Sequence, residues 1–116
     1  MELLVTENHE RYEGQTFPIF AKGTKVSELV EGTDDEYPYW FPCVIEGYET
    51  FIPDIFVVDG VLACDYNPTE IEVEKGQTVM LIDIVFEWLY VKDENSNEGW
   101  LPANKIASKG LVLWAV

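Results

Sequence analysis

The sequence predicts an all-β protein made of two similar halves. Three observations carry this reading. First, one phrase occurs twice: "ETFIPDIFV" at 49–57 and "EGWLPANKI" at 98–106 share an acid, a small residue, an aromatic, a branched aliphatic and a proline in the same order. Second, further matches flank it. "AKGTKV" (21–26) answers "EKGQTV" (74–79), and "YWFPCVIEG" (39–47) answers "EWLYVKDEN" (87–95), with Trp40 opposite Trp88. Internal similarity of this kind marks a duplicated structural unit. Third, no stretch carries a convincing helical period, whereas short runs rich in aromatic and β-branched residues recur between Gly, Asn, Asp and Pro.

Taken in order, "KVSELVEG" (25–32) comes closest to a helical period but also fits a strand, and the run from Trp40 leads into "EGYE" (46–49), which reads as a hairpin turn. "ETFIP" then forms a strand that Pro53 ends, because proline lacks the N–H a ladder needs. Asp59-Gly60 reads as a short connector and places the boundary between residues 1–58 and 59–116. In the second half "QTVMLID" and "WLYVK" read as strands, "DENSNEG" (93–99) as a turn, and "EGWLP" as a strand that Pro102 ends.

Composition narrows the function classes. With 47% hydrophobic and 14% aromatic residues, the chain has enough apolar material for a packed core. Its formal charge of −15 would repel DNA, RNA and anionic membranes over most of the surface, so neither nucleic acid nor membrane is an expected partner. No basic segment leads into a long apolar one, which makes the cytoplasm the expected compartment. The two cysteines, Cys43 and Cys64, are expected to be unbridged, as in most chains that are not secreted.

Catalysis finds little support. His9 is the only histidine and lies in a polar stretch; no Cys/His spacing suits zinc, and no Gly-rich phosphate loop is present. The acids of "TDDEY" and "KDENSNE" lack the alternating ligand pattern of a calcium loop. Cys43 has no cationic neighbour in sequence to lower its pKa. The expectation is a non-enzymatic protein without catalytic residues, cofactor or metal.

In the second half, "LACDY" (62–66), "VEKGQTV" (73–79), Trp88 and "GWLPANKI" (99–106) together resemble the Src-homology-3 (SH3) family. The first half shares "KGTKV", Trp40 and "TFIPDIFV" with it but has no strand like "LACDY". The whole chain is similar to short bacterial proteins with two tandem SH3-like domains. The resemblance implies two small barrels of about five antiparallel strands each. Barrels this small bury modest cores, so they are expected to pack together.

The family holds proline-rich peptides in an aromatic groove, where a stiff polyproline helix loses little entropy on binding. By position, the second-domain groove would use Tyr66, Trp88, Trp100 and Pro102, with Glu70 and Glu72 on the rim for a ligand arginine. The first-domain groove would use Trp40, Phe51, Pro53 and Phe56, with Asp35 and Glu36 before the tryptophan. Cys64 and Lys105 stand where the family carries tyrosines. The resemblance thus implies a protein- or peptide-binding module for a basic or proline-containing segment. The competing expectation is a self-association protein whose grooves are filled by its own chain or a second copy.

"LVLWAV" (111–116) adds six consecutive apolar residues to the end of the sequence. Exposed, they would form a sticky strand. The tail is expected to be ordered, either beside the N-terminal "ELLV" or in the crevice between barrels, or else in a neighbouring chain as part of a homodimer.

Overall fold

The computed structural model describes residues 1–32 and 37–108. It is all-β, as expected, with ten strands among the described residues: β1 (Glu2–Val5), β2 (Val26–Ser27), β3 (Trp40–Ile45), β4 (Tyr48–Pro53), β5 (Val57–Val58), β6 (Val61–Leu62), β7 (Thr78–Val85), β8 (Trp88–Lys92), β9 (Glu98–Pro102) and β10 (Ile106–Ser108). Helical backbone among the described residues is confined to single 3-10 turns at Asp54–Phe56 and Ala103–Lys105, whereas Tyr12–Gly14 is a turn with positive φ at Glu13 (53°) and Gly14 (65°). Among the described residues, no helix is long and apolar enough to cross a membrane. The strands form a five-stranded sheet in the order β10-β1-β7-β8-β9, a three-stranded sheet β2-β3-β4 and a ribbon β5-β6. The pairings between these strands are antiparallel, and neither larger sheet closes on itself among the described residues.

The chain does not divide at 58/59. One compact unit is Met1–Gln15 together with Glu70–Val116, and the other is Thr16–Thr69. The units are therefore nested in sequence rather than tandem. The reason lies in strand pairing. β1 is hydrogen-bonded to β7 on one side and β10 on the other, so "ELLV" is neither open nor part of an N-terminal domain. Conversely, the segment after Asp59-Gly60 pairs backwards: Lys25 bridges Val61, and Phe20 and Tyr66 exchange N–H···O=C bonds of 2.8 Å. "LACDY", expected in the second domain, thus lies with the residues of the first half. The C-terminal tail falls outside the described residues.

In the split unit, β1 alternates exposed and buried residues, the mark of a strand with one face inward. Leu3 and Val5 enter a core with Ile71, Val73, Val79, Leu89, Val91 and Leu101. Beyond β1 the chain runs alongside residues 70–75. His9 and Val73 exchange backbone bonds of 2.9 and 3.0 Å, and the Lys75 N–H donates to the Asn8 side-chain oxygen at 2.7 Å. The backbone N–H and C=O of His9 are thereby satisfied by a residue more than sixty positions away.

In the continuous unit, β3 and β4 form a hairpin in full register from Trp40↔Pro53 to Ile45↔Tyr48. Its two-residue turn is Glu46-Gly47, with φ of 49° and 84°. Both values are positive, as a type I′ turn requires, and Gly47 adopts its value without a Cβ clash. Phe20, Val26, Phe41, Cys43, Ile45, Ile52 and Leu62 are buried here.

The β7–β8 turn at Phe86-Glu87 uses the same positive-φ geometry, at 44° and 71°, but with two side chains that disfavour it. No Gly or Asn announces it, which is why the sequence does not reveal this hairpin. The β8–β9 connection matches its expected turn. Its anchor is Asp93, whose carboxylate accepts the backbone N–H groups of Asn95 and Asn97 at 2.9 Å and the Asn97 side-chain amide at 3.0 Å. Partial burial raises the Asp93 pKa, but those three hydrogen bonds outweigh it and leave the carboxyl below its ordinary value.

Two outcomes are expected. Leu3→Ala removes a side chain only 3% exposed and should destabilise the split unit by about 2–5 kcal/mol in denaturant melts; an unchanged midpoint would mean that β1 is dispensable. Glu87→Gly relieves a left-handed side chain and should stabilise by about 0.5–1 kcal/mol, the strain released less the chain entropy glycine adds. A lower melting temperature would contradict that account.

Candidate functional site

β8 and β9 sort their residues by face. Leu89, Val91 and Leu101 point into the core. The opposite face carries Trp88 paired with Pro102, and Tyr90 paired with Trp100. The Tyr90 and Trp100 rings lie 5.0 Å apart at 56°. Trp100 is buried, 4% exposed, and Pro102 is buried too, whereas Trp88 and Tyr90 are half-buried. The upper surface of this aromatic row is therefore Trp88 and Tyr90.

Beside it runs a polar row from the 8–11 and 70–73 segments. The His9 ring stands edge-on to Trp88, with centroids 6.2 Å apart at 78°. His9 Nε2 hydrogen-bonds Glu70 Oε1 at 2.7 Å. Arg11 Nη1 donates to Glu72 Oε1 at 2.9 Å, its amide N–H reaches Glu72 Oε2 at 3.4 Å, and its Nε donates to the Glu70 carbonyl at 2.6 Å. Glu70 is fixed further by a parallel bridge to Trp100, where the Ile71 N–H donates to the Trp100 carbonyl at 3.0 Å. The ladder that positions the acid thus also positions the ring next to it. An exposed pair such as Arg11–Glu72 contributes about 0–1 kcal/mol. Its effect is on orientation more than on stability.

Of the residues expected in the second-domain groove, the structure brings together Glu70, Trp88, Trp100 and Pro102. Tyr66 is elsewhere, in the Thr16–Thr69 unit. Its hydroxyl donates to the Phe51 carbonyl at 2.6 Å and its ring meets Phe56 edge-on, with centroids 5.5 Å apart. Tyr66 therefore joins Trp40, Phe51, Pro53 and Phe56, the set expected for the first domain. In that set Trp40 and Pro53 face each other across β3 and β4 and are buried, Phe56 is half-buried, and Phe51 is 51% exposed. Tyr48 stacks edge-on to Phe17 and Phe20, at 6.0 and 5.7 Å. Asp35 and Glu36 lie outside the described residues.

Sequence reasoning missed His9, Arg11 and Tyr90. His9 reads as a solvated residue in a polar segment, yet its side chain is 12% exposed. The alternation of Trp88 and Tyr90 within "WLYVK" was the one available signal for Tyr90. Nothing local pairs residues 9–11 with 70–72, since that register follows from β1.

Among the described residues, no group of three or more His, Cys, Asp or Glu side chains gathers as a metal site. Neither cysteine is in a disulfide. Burial pushes the Cys43 thiol up to about 11. It therefore stays protonated at neutral pH and forms the reactive thiolate only in strongly alkaline solution. In native protein at pH 8, iodoacetamide should leave Cys43 unlabelled, with labelling appearing on unfolding; rapid native modification of Cys43 would contradict this burial.

The chain matches no protein-family model, no curated protein and no solved structure.

Proposed function

We propose that the Trp88–Tyr90 face of the split unit binds an extended protein segment carrying basic residues or prolines, without catalysis. One observation carries this reading: a half-buried tryptophan stands beside the carboxylates of Glu70 and Glu72, which are held by the same strand register. Flat rings offer contact area to proline and to the arginine side chain. Glu70 and Glu72 supply the opposite charge, and the net charge of −15 steers a cationic partner inward. The resemblance of "VEKGQTV", Trp88 and "GWLPANKI" to SH3-like domains points to the same class of ligand. On this reading the Tyr66, Phe51 and Phe56 group is secondary, because Trp40 and Pro53 are occupied in the interior.

A second reading, self-association, is favoured by a different feature. Met80, Ile82 and Ile84 of β7 are 46%, 50% and 61% exposed, and Leu4 of the neighbouring strand is 38% exposed. The register shifts between Leu81 and Asp83, so these side chains do not form one regular strand face, but exposed apolar side chains gathered on one strand are a usual mark of an interface. Concentration-dependent sedimentation separates the two readings, since a chain that is monomeric at high concentration leaves only the first.

The binding reading is tested by titrating a proline-rich peptide that carries two arginines into the full chain by calorimetry. Trp88→Ala should weaken binding at least about tenfold, on the scale of an aromatic hot spot. Trp40→Ala would disturb the core instead and is not an informative control. Saturable binding that Trp88→Ala leaves unchanged would overturn the assignment.

A further inference from the structure

The row of acids assigned to a cationic ligand is already engaged from within the chain. Arg11 is the only arginine and His9 the only histidine in the sequence, and both lie on this row. Arg11 meets Glu72 through its guanidinium and its amide N–H, and Glu70 through the backbone carbonyl. The side chains of Arg11 and Glu72 are 23% and 48% exposed, so the pair stands at the surface rather than in the core. A guanidinium on one glutamate is the same contact that an arginine of a bound segment would make.

We infer that Arg11 is an internal stand-in for the ligand's arginine, a self-inhibitory contact that an incoming basic segment must displace from Glu72. This rests on the peptide-binding reading above. Displacement is feasible because the contact is weak and partly solvated, and surface ion pairs of this kind contribute little. The backbone pairing of His9 with Val73 holds the segment in place when the guanidinium turns off Glu72, and the incoming segment must also offset any weakening of the 2.6 Å bond from Arg11 Nε to the Glu70 carbonyl. Two consequences separate this role from a merely structural pin. Removing the guanidinium should free Glu72 and tighten binding, whereas removing a pin would loosen the rim and weaken binding. The gain should also depend on Glu72.

The test uses the full chain and the same two-arginine proline-rich peptide, with its glutamine counterpart as a neutral control. Arg11→Gln should bind the basic peptide about two- to fivefold more tightly than wild type at low salt. The gain should vanish in Arg11→Gln/Glu72→Gln, should shrink as salt screens the charges, and should be absent with the neutral peptide. Arg11→Lys, which keeps the charge but not the planar fork, should show a smaller gain and decides the matter if Arg11→Gln fails to fold. Equal or weaker binding by the Arg11 variants, with wild type binding normally, would overturn the inference and leave the binding reading standing. Failure of wild type and variants alike to bind would remove the binding reading and this inference with it.

Discussion

The pairing of β1 on both of its edges is the constraint on which the split unit depends. Four residues, Glu2–Val5, connect β7 to β10 and close the gap between segments far apart in sequence. Leu3 and Val5 supply apolar side chains to the core while the strand's backbone groups are taken up on either side. Without β1, β7 and β10 would each expose an unpaired edge, a template for wrong pairing. Because the strand is short, its register is set by which residues face inward; a slip of one position would turn Leu3 and Val5 out to solvent.

That register propagates to the candidate site. Once β1 is in place, the chain beyond it lies along residues 70–75, and His9 and Arg11 arrive opposite Glu70 and Glu72. The 70–71 segment in turn bridges to Trp100. Acids, histidine and aromatic row are therefore held by one continuous set of backbone hydrogen bonds rather than by side-chain packing alone. The two faces of β8 and β9 differ in kind: the aliphatic face anchors the sheet to its core, and the opposite face carries the Trp88–Pro102 and Tyr90–Trp100 pairs.

The Thr16–Thr69 unit shows how a tyrosine changes role with its surroundings. The Tyr66 hydroxyl is used on the Phe51 carbonyl of β4. Its aromatic body meets Phe56 in the edge-to-face geometry that aromatic pairs favour. A ring so engaged serves the unit's own architecture. Residues 33–36, before Trp40, fall outside the described residues.

The sequence by itself determined the fold class and much of the local structure. The strand content, the Glu46-Gly47 and 93–99 turns, the strand stops at Pro53 and Pro102 and the unbridged cysteines follow from residue chemistry acting over a few positions. It also marked Trp88, Glu70 and Glu72 as residues of interest. What it did not determine was which strands pair. A duplicated phrase suggested two consecutive halves, but hydrogen-bond pairing connects β1 with the C-terminal strands and residues 61–66 with 20–26. Short strands with similar apolar faces are nearly interchangeable locally, and only the burial gained by a complete core distinguishes one partner from another. The same reason hid His9, Arg11 and the strained Phe86-Glu87 turn. Their conformations are imposed by contacts far along the chain, and tertiary structure alone decided that the chain's one arginine would meet the acids that mark its candidate site.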